Sequence, residues 1–594
     1  MTTEGGTGRS PGQRAGSRAP AILAALTIAF AAGAIAWTVV SASALSPTFD
    51  EPHHLATGLE WWQFGTYRWW TENPPLPKVV TALGPFLAGV RLPGTPATLS
   101  GPWSAGIELL DEGGARILML ARLGTIPFLL IALGLTFALA GGRKRSFPAF
   151  LATALVATYP PLLGHAGLAT TDVAAVATVL GFLLALDRWA DGPSRARAAA
   201  LGAALALASL CKLTAPLLCA VLGLCWLCGR RASRGAWLAD GATRRRDLVA
   251  QAALAAMAAL AVVWAGYRFS TGRLDDLPAM DYMGTPVLPP AAERSALFAC
   301  LCRVPLPAPE FWHGVLFLRA HDAHGHLAYL FGQTREHGFR SFYLVGLLLK
   351  SPLPFLLLLA AAAAATCRRG GRVALGRRGL GAALAGLAAL AFSAIITVNI
   401  GLRHLLIVVP LLAIFAARAI APWFEALASR PRAIAGAALV ALLVAQVAIV
   451  GRASPELMAY FNPLAGREPG HALIDSDLDW GQDLRLLQRE LRARRIVSVH
   501  YGLFAIVNPC DPDMPELLPL LPGQPVTGWV VLSEQFYRSG LHFSFRRESC
   551  APHAHYVFHE DPENAFDWLR SLQPVARIGA SLRLYHVRDP QRGL

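Results

Sequence analysis

The sequence predicts a polytopic α-helical membrane protein of about eleven spans, followed by a C-terminal α/β domain outside the membrane. Hydrophobic residues make up 54% of the 594 positions and charged residues only 15%, whereas soluble domains average about 45–50% and about 25%. Apolar runs recur up to residue 450, and shorter alternating segments follow. Nine cysteines are too few for a disulfide scaffold. The composition therefore excludes small secreted modules and a single soluble core.

The apolar runs give the span count. A transmembrane helix needs about 20 predominantly apolar residues, and about eleven segments approach that length. Residues 164–166 and 399–403 are very short connections between neighbouring segments, so one of these pairs could form a re-entrant hairpin instead of two spans. The predicted spans lie near 20–45, 116–140, 147–163, 166–187, 198–211, 213–228, 249–267, 341–366, 379–398, 400–421 and 433–450.

Basic residues predict the orientation. With the N-terminus in the cytoplasm, 23 Lys and Arg residues fall in inner loops, whereas the short outer loops around Lys212 and Arg403 hold one each. This asymmetry follows the positive-inside rule and indicates a multi-pass protein of the cell (inner or plasma) membrane. It accounts for much of the net charge of +15 without a nucleic-acid partner. The inner loops are 1–19, 141–147, 188–197, 229–248, 367–378 and 418–432.

This topology divides the chain into three parts. Residues 1–19 are expected to be a disordered cytoplasmic tail. Residues 20–451 form the membrane domain, with long outer loops at 46–115 and 268–340. Residues 452–594 form the extracytoplasmic α/β domain.

The pattern after residue 452 predicts helices and strands in alternation. An amphipathic helix is expected over Asp483–Arg494 and a second helix from Asp561-Pro562, where proline suits the first helical position. Alternating apolar residues predict strands over Ile496–Tyr501, Trp529–Ser533 and Ser581–Val587.

Asp50 and Glu51 are the first candidates for chemistry. They follow the first span directly, and carboxylates at a membrane exit are often functional when they face a cavity. A solvated juxtamembrane pair, or an N-cap for a helix running to Trp62, explains them equally well. The residues alone leave these alternatives open.

Further ionisable residues are predicted on the same side of the membrane. Asp172 opens the fourth span, where the helix dipole alone would also favour a carboxylate. Lys212 lies between the fifth and sixth spans, and Arg403 and His404 lie at the mouth of the tenth. Carboxylates facing a lysine and an arginine suit an anionic lipid headgroup and a hydroxyl that loses its proton.

The order and spacing of five short motifs resemble the multi-spanning GT-C glycosyltransferases. The resemblance covers about residues 20–450 and is greatest to the protein O-mannosyltransferase and aminoarabinose-transferase type, the dolichyl-phosphate-mannose-protein mannosyltransferase-like proteins. Each motif is short, so its specificity comes from order, spacing and shared side. The motifs are Phe49–His54, Asn73–Leu76, Thr171–Asp172, Lys212 and Leu402–Leu405.

The resemblance implies an enzyme that moves a sugar from a polyprenyl-phosphate donor to an acceptor hydroxyl at the extracytoplasmic face, with inversion. Asp50 would orient or deprotonate the acceptor, with Glu51 beside it and Asp172 as a second acidic residue. Lys212 or Arg403, next to His404, would hold the lipid phosphate. The acceptor, whether protein, lipid or glycan, and the sugar are left open.

One motif departs from the family. In the aminoarabinose enzymes a Glu-Lys pair precedes the proline of the loop that here reads Glu72-Asn73-Pro74. Glu72 and Asn73 stay candidate substrate-binding residues, but the phosphate-binding lysine is missing. Lys78, Lys212 or Arg403 would have to substitute for it.

These motifs do not require a cofactor, but they leave open whether a divalent metal ion binds. His53 and His54 lie next to two carboxylates and are weak candidate ligands. Neighbouring residues of a helix point in different directions, so solvent-facing or capping histidines are favoured. The histidines at 321, 324 and 326 are interpreted as solvated or as part of an acceptor groove.

The C-terminal domain contains the acidic string Asp475-Ser-Asp-Leu-Asp-Trp-Gly-Gln-Asp483. It fails the EF-hand pattern because Trp480 occupies the glycine position. A turn whose carboxylates cap the helix near Asp483 is favoured, with a cation or acceptor contact as the alternative. Cys510 and Cys550 are expected to form a disulfide.

Two other classes of function compete with the enzyme. A transporter or flippase of lipid-linked or polar substrates should carry ionisable residues at mid-span, whereas the candidates here lie at span ends. A sensor or scaffold that presents residues 452–594 would leave Asp50 and Asp172 dispensable.

Overall fold

The computed structural model describes residues 11–234, 245–282, 284–367, 371–539, 542–547, 556–561 and 566–588. Helices dominate the chain up to residue 453, because long apolar runs satisfy their backbone groups internally. The helices are α1 Pro11–Ala44, α2 Glu51–Phe64, α3 Pro75–Leu87, α4 Pro102–Leu123, α5 Ile126–Ala140, α6 Ser146–Ala157, α7 Pro160–Ala166, α8 Asp172–Asp191, α9 Arg195–Ser209, α10 Ala215–Arg234, α11 Arg245–Gly266, α12 Ala296–Arg303, α13 Pro309–His324, α14 Phe342–Lys350, α15 Leu353–Cys367, α16 Gly371–Ser393, α17 Val408–Ala426 and α18 Ser429–Ala453.

The chain is a multi-pass membrane protein. Among the described residues, eight helical segments are long and apolar enough to cross a bilayer. The pairs α6–α7, bent by 67°, and α14–α15, bent by 111°, raise this number to ten if each is one broken span. The predicted class is confirmed, with eight to ten candidate spans where about eleven were expected from hydropathy.

The differences from the predicted spans have local causes. Helix α9 covers most of the span predicted over 198–211, but its 15 residues, at about 1.5 Å of rise per residue, fall short of the about 30 Å core. The span expected at 400–421 starts at Val408, because Gly401 has φ 125° and a 3-10 turn follows it. Helix α4 breaks at Gly114, whose φ is 54°. The predicted tail at 1–19 is described only from Pro11, where α1 begins.

Short strands build the segment between α11 and α14. Its antiparallel pairs are β1 with β4, β2 with β3, and β5 with β6. Helix α13 packs against β2 and β3 through Phe317 and Val287. The strands are β1 Thr271–Gly272, β2 Asp281–Tyr282, β3 Thr285–Pro286, β4 Leu306–Pro307, β5 Ala328–Leu330 and β6 Gln333–Arg335.

The C-terminal domain is a mixed sheet with helices. Five strands pair in the order β12-β13-β9-β7-β8, with β7 parallel to β8 and β9, and β13 antiparallel to β9 and β12. The separate pair β10–β11 is antiparallel. The elements are β7 Ser498–Gly502, β8 Glu516–Pro519, β9 Gly528–Ser533, β10 His542–Arg547, β11 Tyr556–Asp561, β12 Ala576–Ile578, β13 Leu582–Val587, α19 Leu484–Ala493 and α20 Glu534–Ser539.

Four of the predicted elements of this domain are present. Helix α19 and strands β7, β9 and β13 match their predicted segments within two residues. The helix predicted from Asp561-Pro562 falls partly outside the described residues: Asp561 ends strand β11 opposite His542, and the next described element is a 3-10 helix at Asp567–Ser571. Pro562 lies outside the described residues, as does Cys550. Cys510 is disulfide-bonded. Because Cys550 is not described, the pairing of these two cysteines stays a prediction.

Candidate active site

One large cavity joins the membrane helices to the C-terminal domain. It has a volume of 1510 Å³ and collects side chains from loops and helix ends that are far apart in sequence. Seven of the predicted site residues and both predicted metal ligands line it, whereas Glu51 and Lys78 do not. The predicted residues that line it are Asp50, Glu72, Asn73, Asp172, Lys212, Arg403, His404, His53 and His54.

Two carboxylates and two cations form its centre. Arg403 Nη1 lies 2.9 Å from Asp50 Oδ2 and 3.9 Å from Asp172 Oδ2. Lys212 Nζ donates to Asp172 Oδ1 at 2.7 Å. The cluster therefore links the start of α2, the start of α8 and the loops that precede α10 and α17.

Donors for an anion remain in this cluster. Arg403 Nε is buried and has no hydrogen-bond partner among the described residues. Lys212 is 20% exposed at its side chain. Burial, together with the neighbouring cations Lys212 and Arg403, holds the pKa of His404 well below its ordinary value. His404 is therefore a neutral neighbour of the two cations.

Asp50 occupies the N-cap position of α2 but does not cap it. Its side chain makes no capping hydrogen bond and bonds to Arg403 instead. Burial raises the pKa of Asp50 above its ordinary value, although the Arg403 guanidinium opposes this shift. The N-cap alternative thus does not account for this carboxylate, which is available to accept a proton.

Glu51 points away from Asp50 and lies outside the cavity. Its carboxylate accepts from Arg122 Nε at 2.8 Å and Arg122 Nη2 at 2.6 Å. It also accepts from the backbone N–H groups of Thr48 and Ala169. Burial would raise the pKa of Glu51, but the Arg122 guanidinium outweighs it and lowers that pKa. Glu51 therefore holds the start of α2 in place on the side that faces away from the cavity.

One wall of the cavity is apolar and belongs to membrane helices. It is formed by Leu217 and Leu218 of α10 and by Ala389 and Phe392 of α16, with Ile395 just beyond. Leu217 is 58% exposed and Ile395 is 73% exposed, as expected of side chains that face lipid. The charged cluster is thus continuous with a groove between two spans.

The opposite wall is polar and aromatic. Glu72 faces His321 Nδ1 at 3.1 Å and accepts from Trp70 Nε1 at 3.0 Å. His321 stacks on Tyr282 with 4.0 Å between ring centroids, and the Tyr282 hydroxyl lies 3.1 Å from His326 Nδ1. The loop histidines therefore face the cavity, as the acceptor-groove alternative expected.

The residues proposed to replace the missing lysine lie in different surroundings. Lys78 is buried, and its Nζ has no hydrogen-bond partner among the described residues. Its Nζ lies 5.6 Å from the centroid of the Tyr67 ring, and the Tyr67 hydroxyl donates to the Asn73 carbonyl. Burial lowers the pKa of Lys78 to about 7. Of the three candidates, Lys212 and Arg403 reach the cavity.

The two metal candidates do not converge on a common point with other ligands. The rings of His53 and His54 are 4.1 Å apart, and His53 stacks on Trp103. Among the described residues, no group of three or more His, Cys, Asp or Glu side chains is arranged to hold a metal ion. We therefore assign no step of the chemistry to a metal.

Several cavity residues were not predicted. Asp475 and Trp480 reach the cavity from the C-terminal domain, and Tyr282 reaches it from β2. The acidic string around Asp475 was the only sequence signal for this contact. Asp483 is the N-cap residue of α19 but makes no side-chain cap, so the predicted capping by this carboxylate is wrong. Its Oδ2 accepts from Ser581 instead.

The unpartnered Lys78 gives a stability prediction. Burial lowers the pKa of Lys78 from 10.5 to about 7 on folding. The folded state is therefore destabilised increasingly as the pH falls from 10.5 to 7, and the destabilisation stays constant below pH 7. Lys78→Met is expected to raise the melting temperature at pH 6 by relieving about 1–3 kcal/mol, with a smaller gain at pH 9.5. Thermal unfolding in detergent measures both. Lys144→Met, at an exposed site, is the control, and a destabilised Lys78→Met would contradict the prediction.

Comparisons with known proteins give distant structural matches only. No protein-family model matches the chain, and no curated protein does. ArnT from Cupriavidus metallidurans bound to undecaprenyl phosphate aligns at 16% identity with a TM-score of 0.43, over 94% of this chain and 97% of that one. Its apo form gives 15% and 0.45 over the same shares. The archaeal oligosaccharyltransferase AglB from Archaeoglobus fulgidus, with an inhibitory peptide and a dolichol-phosphate, gives 13% and 0.43 over 90% and 74%. Similarity at this level assigns no activity to the chain.

Proposed function

We propose that this protein is an integral-membrane glycosyltransferase that moves a sugar from a polyprenyl-phosphate donor to an acceptor hydroxyl on the extracytoplasmic face. The observation that carries the proposal is the two-sided cavity. Its charged centre at Asp50, Asp172, Lys212 and Arg403 continues into the apolar groove between α10 and α16. A ligand with a phosphate head and an isoprenoid tail matches both parts.

The charged centre suits a displacement at the anomeric carbon. Asp50 takes the proton from the acceptor hydroxyl as its oxygen bonds to the anomeric carbon. The bond from that carbon to the phosphate oxygen breaks, and Arg403 and Lys212 stabilise the charge on the leaving polyprenyl phosphate. Asp172 holds Lys212 in position through their 2.7 Å ion pair. Attack on the face opposite the leaving group inverts the configuration.

The charge distribution of the chain supports the extracytoplasmic side. The 23 basic residues of the alternate loops lie on the other side of the membrane from the cavity if the positive-inside rule holds. Nucleotide sugars belong to the cytoplasm, so a lipid-linked donor suits a site that is open to a membrane groove. The polar wall around Glu72 and Tyr282 is left for the acceptor, whose identity this proposal does not name.

A donor panel tests the proposal. Purified full-length protein in detergent is given polyprenyl-phosphate sugars one at a time, and release of free polyprenyl phosphate is followed with and without candidate acceptors. We expect release with at least one donor, and no transfer of sugar to the acceptor from the corresponding sugar phosphates that lack the lipid. No release from any donor by folded protein would overturn the enzyme and favour a transporter.

The groove offers a matched pair of variants. Leu217 lines the cavity and is 58% exposed, whereas Leu224, two turns along the same helix, is 59% exposed and does not line it. We expect Leu217→Trp to raise the KM for the lipid-linked donor about tenfold, because the larger ring fills part of the groove that the isoprenoid tail would occupy. Leu224→Trp should leave the KM unchanged. Equal effects of both variants would place the lipid elsewhere.

A further inference from the structure

The acidic string of the C-terminal domain, residues 475–483, contacts the charged centre of the cavity. Asp475 and Trp480 line the cavity, although the favoured interpretation of this string was a turn that caps the following helix. Trp480 is buried, and its ring lies under the guanidinium of Arg403 at 4.1 Å from the ring centroid. An arginine over a tryptophan face is held by a cation–π interaction. The domain thus provides the surface on which Arg403 rests.

The same string holds the backbone next to Arg403. The Leu402 N–H donates to both carboxylate oxygens of Asp477, at 3.1 and 3.2 Å. The Ser476 hydroxyl donates to the Ile400 carbonyl. The start of the 3-10 turn that carries Arg403 is therefore held by residues about 75 positions later in the chain.

The other catalytic segment is bound by this string as well. The Phe49 N–H donates to the Trp480 carbonyl at 3.1 Å, and the Ser46 N–H donates to the Gln482 carbonyl at 2.9 Å. Phe49 is the neighbour of Asp50. One segment of the C-terminal domain thus contacts the chain beside Asp50 and the chain beside Arg403.

The string is itself firmly anchored. Lys350 Nζ is buried, lies 3.4 Å from Asp477 Oδ1 and donates to the Met458 carbonyl at 2.8 Å. Asp479 Oδ2 accepts from the Gln535 N–H at 2.9 Å. These bonds tie residues 475–483 both to the end of α14 and to the sheet domain.

From these contacts we infer that Asp477 and Trp480 are positioning residues for Arg403, and that the C-terminal domain is an integral part of the active centre. The inference deepens the proposed function, on which its activity depends, by giving the domain a role in holding the phosphate-binding cation. Recognition of the acceptor alone would not require the domain to bond to Leu402 and stack on Arg403.

Hydrogen–deuterium exchange tests the contact without any substrate. In Asp477→Ala the backbone amide of Leu402 loses its acceptor, and we expect exchange in the peptide around 400–407 to rise about tenfold, as for the loss of a hydrogen bond to a charged group. Asp477→Asn keeps an acceptor oxygen and should restore most of the protection, and Lys350→Met in both backgrounds removes the charge that would otherwise be left buried and unpaired. Asp513→Ala, at a side chain that is 68% exposed in the same domain, is the control.

A double-mutant cycle tests whether Trp480 acts through Arg403. Binding of a C55 polyprenyl phosphate is measured for the wild type, Trp480→Leu, Arg403→Ala and the double variant. We expect Trp480→Leu alone to weaken binding about tenfold, within the range of a desolvated cation–π contact. In the Arg403→Ala background it should have no further effect. Trp480→Phe keeps an aromatic face and should stay near the wild type.

The outcomes separate this inference from the proposed function. Unchanged exchange at 400–407 in Asp477→Ala, or equal effects of Trp480→Leu with and without Arg403, would overturn the inference. So would loss of protection throughout the sheet in all four variants, including Asp477→Asn and Trp480→Phe. A wild type that binds no polyprenyl phosphate would reject the proposed function, while the exchange result would still decide the inference.

Discussion

Asp50→Asn is expected to abolish sugar transfer and to leave the protein folded. The asparagine amide can still accept a hydrogen bond from Arg403, so the contact at 2.9 Å survives in a neutral form. It cannot take the acceptor proton, and the loss of a general base costs about 10²–10⁴-fold in rate. Release of polyprenyl phosphate in the presence of acceptor measures the change, and thermal unfolding checks the fold.

The control for Asp50 is a second carboxylate in the same cavity. Asp322 lines the cavity and is exposed, and Asp322→Asn should keep most of the activity. The pH profile of transfer gives a second test, because its direction is predicted. Because burial raises the pKa of Asp50, the proton-accepting form is lost as the pH falls through a value above 3.8, and transfer should fall with it. Full activity in Asp50→Asn would assign the base to another residue.

Glu51→Gln is expected to have the opposite signature, with a large loss of stability. Both side chains of the Glu51–Arg122 pair are within 1% of complete burial. Removing one partner leaves the Arg122 charge buried and unpaired, which costs about 3–5 kcal/mol. Thermal unfolding in detergent should show a much lower melting temperature or no folded protein.

A compensating variant distinguishes the two roles of Glu51. Glu51→Gln combined with Arg122→Met removes the unpaired charge and should recover part of the stability. Glu490→Gln, which breaks an exposed pair with Arg494, should change the melting temperature little. A Glu51→Gln protein that is stable but inactive would contradict the structural role and put Glu51 back into the chemistry.

The adjacent carboxylates show where sequence reasoning succeeds and where it stops. Asp50 was singled out because it leaves a span directly, and its side chain does line the cavity. Glu51 was singled out on the same ground, and the family resemblance also implied it. Consecutive helical residues point about 100° apart, and at this position only Asp50 lines the cavity, whereas Glu51 does not. Which of them does so depends on Arg122, 71 residues away.

The fold class could be predicted because hydropathy depends only on local composition. The spans shorter than expected depend on breaks that hydropathy does not register, such as Gly401 at φ 125° and the 111° bend between α14 and α15. Contacts between distant segments could not be predicted either, because hydropathy depends only on local composition. Asp477 meets Leu402, and Trp480 meets Arg403, across about 75 residues. The acidic string was visible, but its partner was not.

Arg403 contacts Asp50 with the guanidinium that we assign to the donor phosphate. Two anions therefore compete for one cation. As a phosphate draws charge from Arg403, the carboxylate of Asp50 loses part of its stabilisation and becomes a stronger base. Acceptor activation is then greatest once the sugar donor is in place. Coupling of this kind limits the activation of water before the donor binds, and it therefore limits hydrolysis of the lipid-linked substrate.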